Sequence, residues 1–188
     1  MKWVHTLIDY DNVKQNNERG SADVSINLSL LIPSLSNRVS ALLPDSQEIW
    51  CRLYGGWITL DSQRTLQGTW MLSEISKFRG RIGPLRSKIS MSTEISARSD
   101  LTLIGTYRDG GQKMVDGMMS VDLISLSDDH DTSLVIVSDD DDLVPSIIAS
   151  SVKRPSNNPV FVLRRQKKPG SGPNDRLLSQ CNVVIAEF

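Results

Sequence analysis

The chain has 188 residues, 39% of them hydrophobic and 23% charged, with a net charge of −1. Those values exclude a mostly disordered chain, a collagen-like repeat and a disulfide scaffold, and the near-zero charge provides no global field that would gather a polyanion. No apolar run approaches the ~20 residues that span a bilayer: the segment around Leu28–Leu35 is short and holds Pro33. The length suits one domain over 1–188. The start, MKWVHTLIDYDN, meets acids by position 9 and has no small-residue cleavage site, so no signal peptide and a cytoplasmic location are expected. Cys51 and Cys181 share no metal-ligand spacing and read as two buried thiols of a reducing compartment.

The first element is a short apolar strand, Trp3–Ile8, ending in Asp9-Tyr10-Asp11-Asn12. Asn16, Asn17 and Gly20 mark a loop. Helical spacing runs from Val24 to Leu43, with Pro33 expected at a first helical turn and Pro44-Asp45 closing the helix. Glu48–Gly56 is the second strand. Thr59–Phe78 reads as a helix with Asp61 as N-cap, broken by Gly80, Gly83 and Pro84. Ile89, Met91, Thr93, Ile95 and Ala97 alternate with polar residues, as in an added strand or hairpin arm.

Leu101–Tyr107 is the next strand, followed by a turn at Arg108-Asp109-Gly110-Gly111 and a helix over Lys113–Leu126. Asp128–Asp131 is a loop, in which His130 reads as a polar loop residue. Leu134–Val137 is the clearest buried strand, and Ser138-Asp139-Asp140-Asp141-Asp142 leads from it into a helix over Leu143–Val152 with Pro145 in its first turn. Val160–Leu163 and Asn182–Phe188 are two late strands joined by a Lys/Pro/Gly/Ser loop, placing C-terminal strands at about 159–188. Continuous apolar strands alternating with helices predict an α/β fold: a three-layer α/β/α sandwich around a central, mainly parallel sheet, Rossmann-like in architecture.

Charge is unevenly spread. Arg64, Lys77, Arg79, Arg81, Arg86 and Lys88 meet one acid, Glu74, whereas seven aspartates between Asp128 and Asp142 meet no Lys or Arg. In open α/β sheets, sites form beyond the carboxyl ends of strands. Asp9, Asp11 and Asn12 follow the first strand, Asp139–Asp142 follow the clearest one, and Asp116 opens a helix. Carboxylates gathered at one edge resist ionising together; a divalent cation with hard oxygen ligands relieves that conflict. Residues two apart face the same way where a strand enters a turn, so Asp140 and Asp142 form one candidate pair and Asp139 and Asp141 the other. Asp122 is six residues from Asp116, off its helical face, and is expected to hold a cation or a cap at the far end of the site.

These residues carry a resemblance. Ile8-Asp9-Tyr10-Asp11-Asn12-Val13, Tyr54-Gly55-Gly56-Trp57, Lys113-Met114-Val115-Asp116 with Asp122, and Val135-Ile136-Val137-Ser138-Asp139-Asp140-Asp141-Asp142-Leu143-Val144-Pro145 resemble the NYN family of PIN-like nucleases over residues 3–150. The resemblance implies a PIN-like fold, metal-dependent cleavage of RNA, and Mg²⁺ or Mn²⁺ held by Asp9, Asp116, Asp140 and Asp142, with Asn12 orienting the Asp9 end. Asp139 stands where the family usually has Gly, Leu143 where it has an aromatic residue, and Tyr10 where a small residue is common. A basic insertion at about 78–101 exceeds a minimal domain.

The expected substrate contacts are Lys113, Arg79 and Arg81 on phosphates and Trp57 stacked on a base. A solvated lysine, a solvated basic loop and a core tryptophan remain open against them. Trp50 and Trp70 read as core, and Arg164-Arg165 as added basic surface or as balance for the acids. The partner expected is RNA, single-stranded or tRNA-like, with no membrane; a homodimer would suit a long substrate. Two other functions stay open: a haloacid-dehalogenase-like phosphatase using Asp9 and Asp11, and a PIN-like module that binds RNA or protein without cutting.

Overall fold

The computed structural model of the chain describes residues 2–59, 63–75, 77, 79–82, 85–88, 104–108, 111–113, 115–165 and 172–188. In chain order the elements are β1 (Lys2–Asp9), α1 (Tyr10–Val13), α2 (Ser21–Leu42), β2 (Ser46–Thr59), α3 (Leu66–Ile75), β3 (Arg79–Ile82), β4 (Leu85–Lys88), β5 (Ile104–Arg108), β6 (Gly111–Lys113), α4 (Val115–Leu126), β7 (Ser133–Val137), α5 (Val144–Lys153), β8 (Val160–Arg164), α6 (Pro173–Gln180) and β9 (Val183–Glu187). A 3-10 turn, Asp141–Leu143, separates β7 from α5.

Five strands form a parallel sheet in the order β2-β1-β7-β8-β9. The register sets Asp9 beside Tyr54 and Ile8 beside Val137, so the strands end along one edge. β4 extends the sheet beyond the first half of β2, and β3 folds back antiparallel on it. β5 pairs with the second half of β2 and carries β6.

Strand pleating divides the core in two. Val4 and Ile8 of β1, Ile49, Cys51 and Leu53 of β2, and Val135 and Val137 of β7 pack beneath α2 and α3. Leu7, Tyr54, Leu134 and Ile136 take the opposite face, beneath α4, α5 and α6. Both faces are therefore covered, the three-layer arrangement that continuous apolar strands predict. β7 and β8 are buried along their whole length.

Several expectations need correction. α2 begins at Ser21, so Pro33 lies inside the helix rather than in its first turn; apolar residues on both sides of it, Leu28, Leu31, Ile32 and Leu35, are buried and hold the helix across the missing N–H. β2 continues to Thr59, and α3 starts only at Leu66, where the predicted helix began at Thr59; Asp61 lies outside the described residues. Arg79, Arg81, Arg86 and Lys88, read as part of a basic loop, lie on the paired strands β3 and β4, whereas the alternating strand at Ile89–Ala97 lies outside the described residues. Lys113 ends β6 instead of opening a helix, and α4 begins at Val115. The segment between β8 and β9, read as a loop, contains α6. Cys51 is buried and Cys181 half-buried. Among the described residues no helix is long and apolar enough to cross a membrane.

Candidate metal centre

β1 delivers Asp9 to its position. Leu7 faces α4 and α5, and side chains two apart share a face, so Asp9 emerges on that same side as the strand ends. Asp9 occupies the N-cap position of α1 but makes no side-chain cap bond. Its carboxylate serves other partners: Oδ2 accepts from Asn12 Nδ2 and from Ser138 Oγ, the latter at 2.8 Å. Asp9 is fully buried, and Oδ1 meets no hydrogen-bond partner among the described residues. An unpaired buried carboxylate oxygen is costly. Burial pushes the Asp9 carboxyl up to about 6; the bonds from Asn12 and Ser138 oppose the rise, and the charges of Asp116 and Asp140 add to it.

Two further aspartates come to this point from other segments. Asp116 lies in the first turn of α4, and Asp140 precedes the 3-10 turn after β7. One carboxylate oxygen from each of Asp9, Asp116 and Asp140 lies within 4.8 Å of the others. Asp116 also titrates above its ordinary range, first through burial and then through Asp140 and Asp142. The set is half-buried at Asp116 and Asp140, which leaves it open on one side.

Asp142 does not join this group. Period two predicts that it points with Asp140, but the chain leaves the extended conformation at Asp141 and winds into the 3-10 turn. Asp142 instead donates its backbone N–H to Asp140 Oδ1 at 2.9 Å and is itself exposed. Its charge still acts on Asp116.

The remaining acids of the region are engaged. Asp11 accepts from Lys14 Nζ and, at 3.2 Å, from Gln67 Nε2. Asp122 accepts from Arg52 Nη1 and, at 2.6 Å, from the Tyr54 hydroxyl, so it holds a cation away from the triad. Asp139 accepts from the Arg165 backbone N–H at 3.0 Å, and Asp141 lies 3.3 Å from Arg164 Nη2.

Trp57 is a correction. It is fully buried and packs against Tyr10 with ring centroids 5.7 Å apart, so it has no free face for a base. The preceding glycine explains how the ring fits: a Cβ at Gly55 would stand 2.7 Å from it. Trp50 is half-buried and stacks on Trp3 at 4.7 Å, and Trp70 packs partly buried against the core. Arg79 and Arg81 lie on β3, where the register sets Arg79 opposite Lys88 and Arg81 opposite Arg86. Lys113 lies three residues before Asp116, at the end of β6.

Sequence reasoning passed over three contributors. Ser138 bridges the centre, donating to Asp9 and accepting the Asp140 N–H at 3.0 Å; its position directly after the best strand was the available signal. Arg164, read as added basic surface or as balance for the acids, has no exposed area and pairs with Asp175 at 3.1 Å, which fits the second reading. Asp175 sat in a segment taken for a loop. Comparison of the chain with protein-family models, with curated proteins and with solved structures finds no match.

Proposed function

We propose that the protein is a metal-dependent endoribonuclease of the PIN-like kind, with Asp9, Asp116 and Asp140 as its ligands for Mg²⁺ or Mn²⁺. The observation that carries this reading is the meeting of carboxylates from three separate segments within 4.8 Å, one of them the buried Asp9, whose Oδ1 has no hydrogen-bond partner among the described residues. Hard oxygen donors of this type fit those two cations and fit zinc-type N/S chemistry poorly. Such a cation, when bound, supplies a Lewis acid for a phosphodiester oxygen and a water of lowered pKa.

The residues of the chain perform the positioning. Asn12 and Ser138 bind Asp9 Oδ2 and so fix the rotation of the carboxylate that meets Asp116 and Asp140. Asp140 spends Oδ1 on the Asp142 N–H, which sets the rotation of its carboxylate. No histidine stands in the centre: His5 is buried on β1 four residues before Asp9, and His130 lies in the exposed turn before β7. The basic pairs of the β3–β4 hairpin favour a polyanionic substrate. Arg79, Arg81, Arg86 and Lys88 bring four basic residues to these two strands, and such residues bind phosphates. β4 runs parallel to β2, with Lys88 beside Trp50, four residues (about 13 Å) short of the level of Asp9 and Tyr54. The phosphatase reading needs Asp9 and Asp11 to act together, whereas Asp11 is bound to Lys14 and Gln67.

The test is incubation with end-labelled single-stranded RNA in Mn²⁺, Mg²⁺ or EDTA. The expected result is cleavage in the metals alone, with 5′-phosphate and 3′-hydroxyl ends. Terminal 2′,3′-cyclic phosphates would contradict the mechanism, and intact RNA bound by the protein would favour a non-catalytic module.

A further inference from the structure

The exit of β8 carries two consecutive arginines, and each grips one of the two loops that bring Asp9 and Asp140 together. Arg164 has no exposed surface. Its Nη1 donates to the Ser138 carbonyl at 2.9 Å and to the Asp140 carbonyl at 3.4 Å. Its Nη2 faces Asp141 at 3.3 Å and Asp175 at 3.1 Å. One guanidinium thus holds three residues of the loop after β7 and ties them to α6. Arg165 acts on the other side. Its Nη1 donates to the carbonyl of Val13, the last residue of α1, and its backbone N–H donates to Asp139 Oδ1 at 3.0 Å.

We infer that Arg164 and Arg165 are positioning residues of the metal centre, setting the separation of Asp9 and Asp140. The inference rests on the metal-binding reading of the triad. Neither side chain belongs to the triad, and Arg164 has no exposed surface. A buried guanidinium needs its charge paired; Asp175 and Asp141 do that on one nitrogen, backbone carbonyls of the ligand loop take the other, and Nε meets no hydrogen-bond partner among the described residues. The planar fork reaches Ser138 and Asp140 through one nitrogen and Asp141 and Asp175 through the other; a lysine ammonium offers no such spread. Because Ser138 Oγ in turn donates to Asp9, a loop released by Arg164 disturbs both ends of the triad.

The experiment is a calorimetric titration of the full chain with Mn²⁺ alone, at a temperature where circular dichroism shows each protein folded. Arg164→Lys and Arg164→Met are expected to bind Mn²⁺ about 10–100-fold more weakly, the range found when groups supporting metal ligands are replaced. Arg164→Lys retains more affinity than Arg164→Met. Arg165→Ala, losing one hydrogen bond, is expected to lose about fivefold. Ile147→Ala, a core change in α5, serves as the destabilised control and keeps wild-type affinity, which separates positioning from general loss of stability. Where Arg164→Met fails to fold, Arg164→Lys and Arg165→Ala decide the matter. Folded arginine variants that bind Mn²⁺ like the wild type would overturn the inference and leave the triad standing. A wild type that binds no Mn²⁺, matching Asp140→Asn, would overturn the triad and the inference with it.

Discussion

Two acidic turns flank the same strand. Asp128, Asp129 and Asp131 precede β7, and Asp139–Asp142 follow it. The turns are alike in composition and opposite in fate. In the first, Asp128 pairs with Lys153 at 3.0 Å on the surface and Asp129 accepts the Asp131 N–H. In the second, Asp139 is buried beside β8 and Asp140 meets Asp9 and Asp116. Strand direction makes the difference. At the carboxyl edge of a parallel sheet, chains splay between helices and leave room for a site; the cavity at the other edge is lined by Asp131 and His130 but, among the described residues, gathers no second aspartate from another element. Charge density alone does not bring carboxylates together; strands ending side by side along one edge do so here.

The largest expected effect contrasts the two turns directly. Asp140→Asn should lower metal-dependent RNA cleavage by about 10²–10³-fold, the cost of removing a group that supports transition-state charge; initial rates under single turnover would show it. Equal losses from Asp128→Asn would break the comparison. Next comes ligand linkage. Mn²⁺ at about 100 times its Kd should add about 2.7 kcal/mol to stability, read as a rise in melting temperature that Asp9→Asn and Asp116→Asn abolish.

Asp9→Asn should at the same time stabilise the metal-free protein. The folded carboxyl titrates near 6 against an ordinary 3.8, so the folded chain holds its proton more tightly than the unfolded chain. Stability from this group is greatest below about pH 4, falls as pH rises through about 6, and is level above. Replacing the carboxylate removes that fall, worth up to about 3 kcal/mol at neutral pH, and leaves little difference at pH 4. Urea denaturation in EDTA at the two pH values measures both.

Removal of two hairpin cations, Arg79→Ala with Arg81→Ala, should flatten the salt dependence of single-stranded RNA binding by about 1.4 in log–log slope while leaving Mn²⁺ affinity unchanged. An unaltered slope would detach the hairpin from the substrate. The smallest effect belongs to the first turn: loss of the exposed Asp128–Lys153 pair should change stability by less than about 1 kcal/mol.

The alternation of strands and helices was legible because the central parallel strands β7 and β8 are buried on both faces and so read as unbroken apolar runs; the edge strand β9 exposes alternate residues. Asp9, Asp116 and Asp140 were legible for a related reason, since each stands at or soon after an element boundary. Asp142 was misread because the period-two rule ended one residue early, where the 3-10 turn begins. The sequence leaves Trp57 open between a base platform and the core; burial against Tyr10, in space that Gly55 provides, decides for the core. The sequence leaves Arg164 open between basic surface and balance for the acids, because a buried arginine differs from a surface one only through partners distant in the chain, Ser138 and Asp175.

The central claim is that Asp9, Asp116 and Asp140 form one divalent-cation site. Mn²⁺ binding followed by electron paramagnetic resonance, on the wild type and on Asp116→Asn, Asp140→Asn and Asp128→Asn, tests it most directly. One saturable site that survives Asp128→Asn and disappears in the other two is expected; Mn²⁺ bound with undiminished affinity by Asp116→Asn and Asp140→Asn would rule these aspartates out as its ligands.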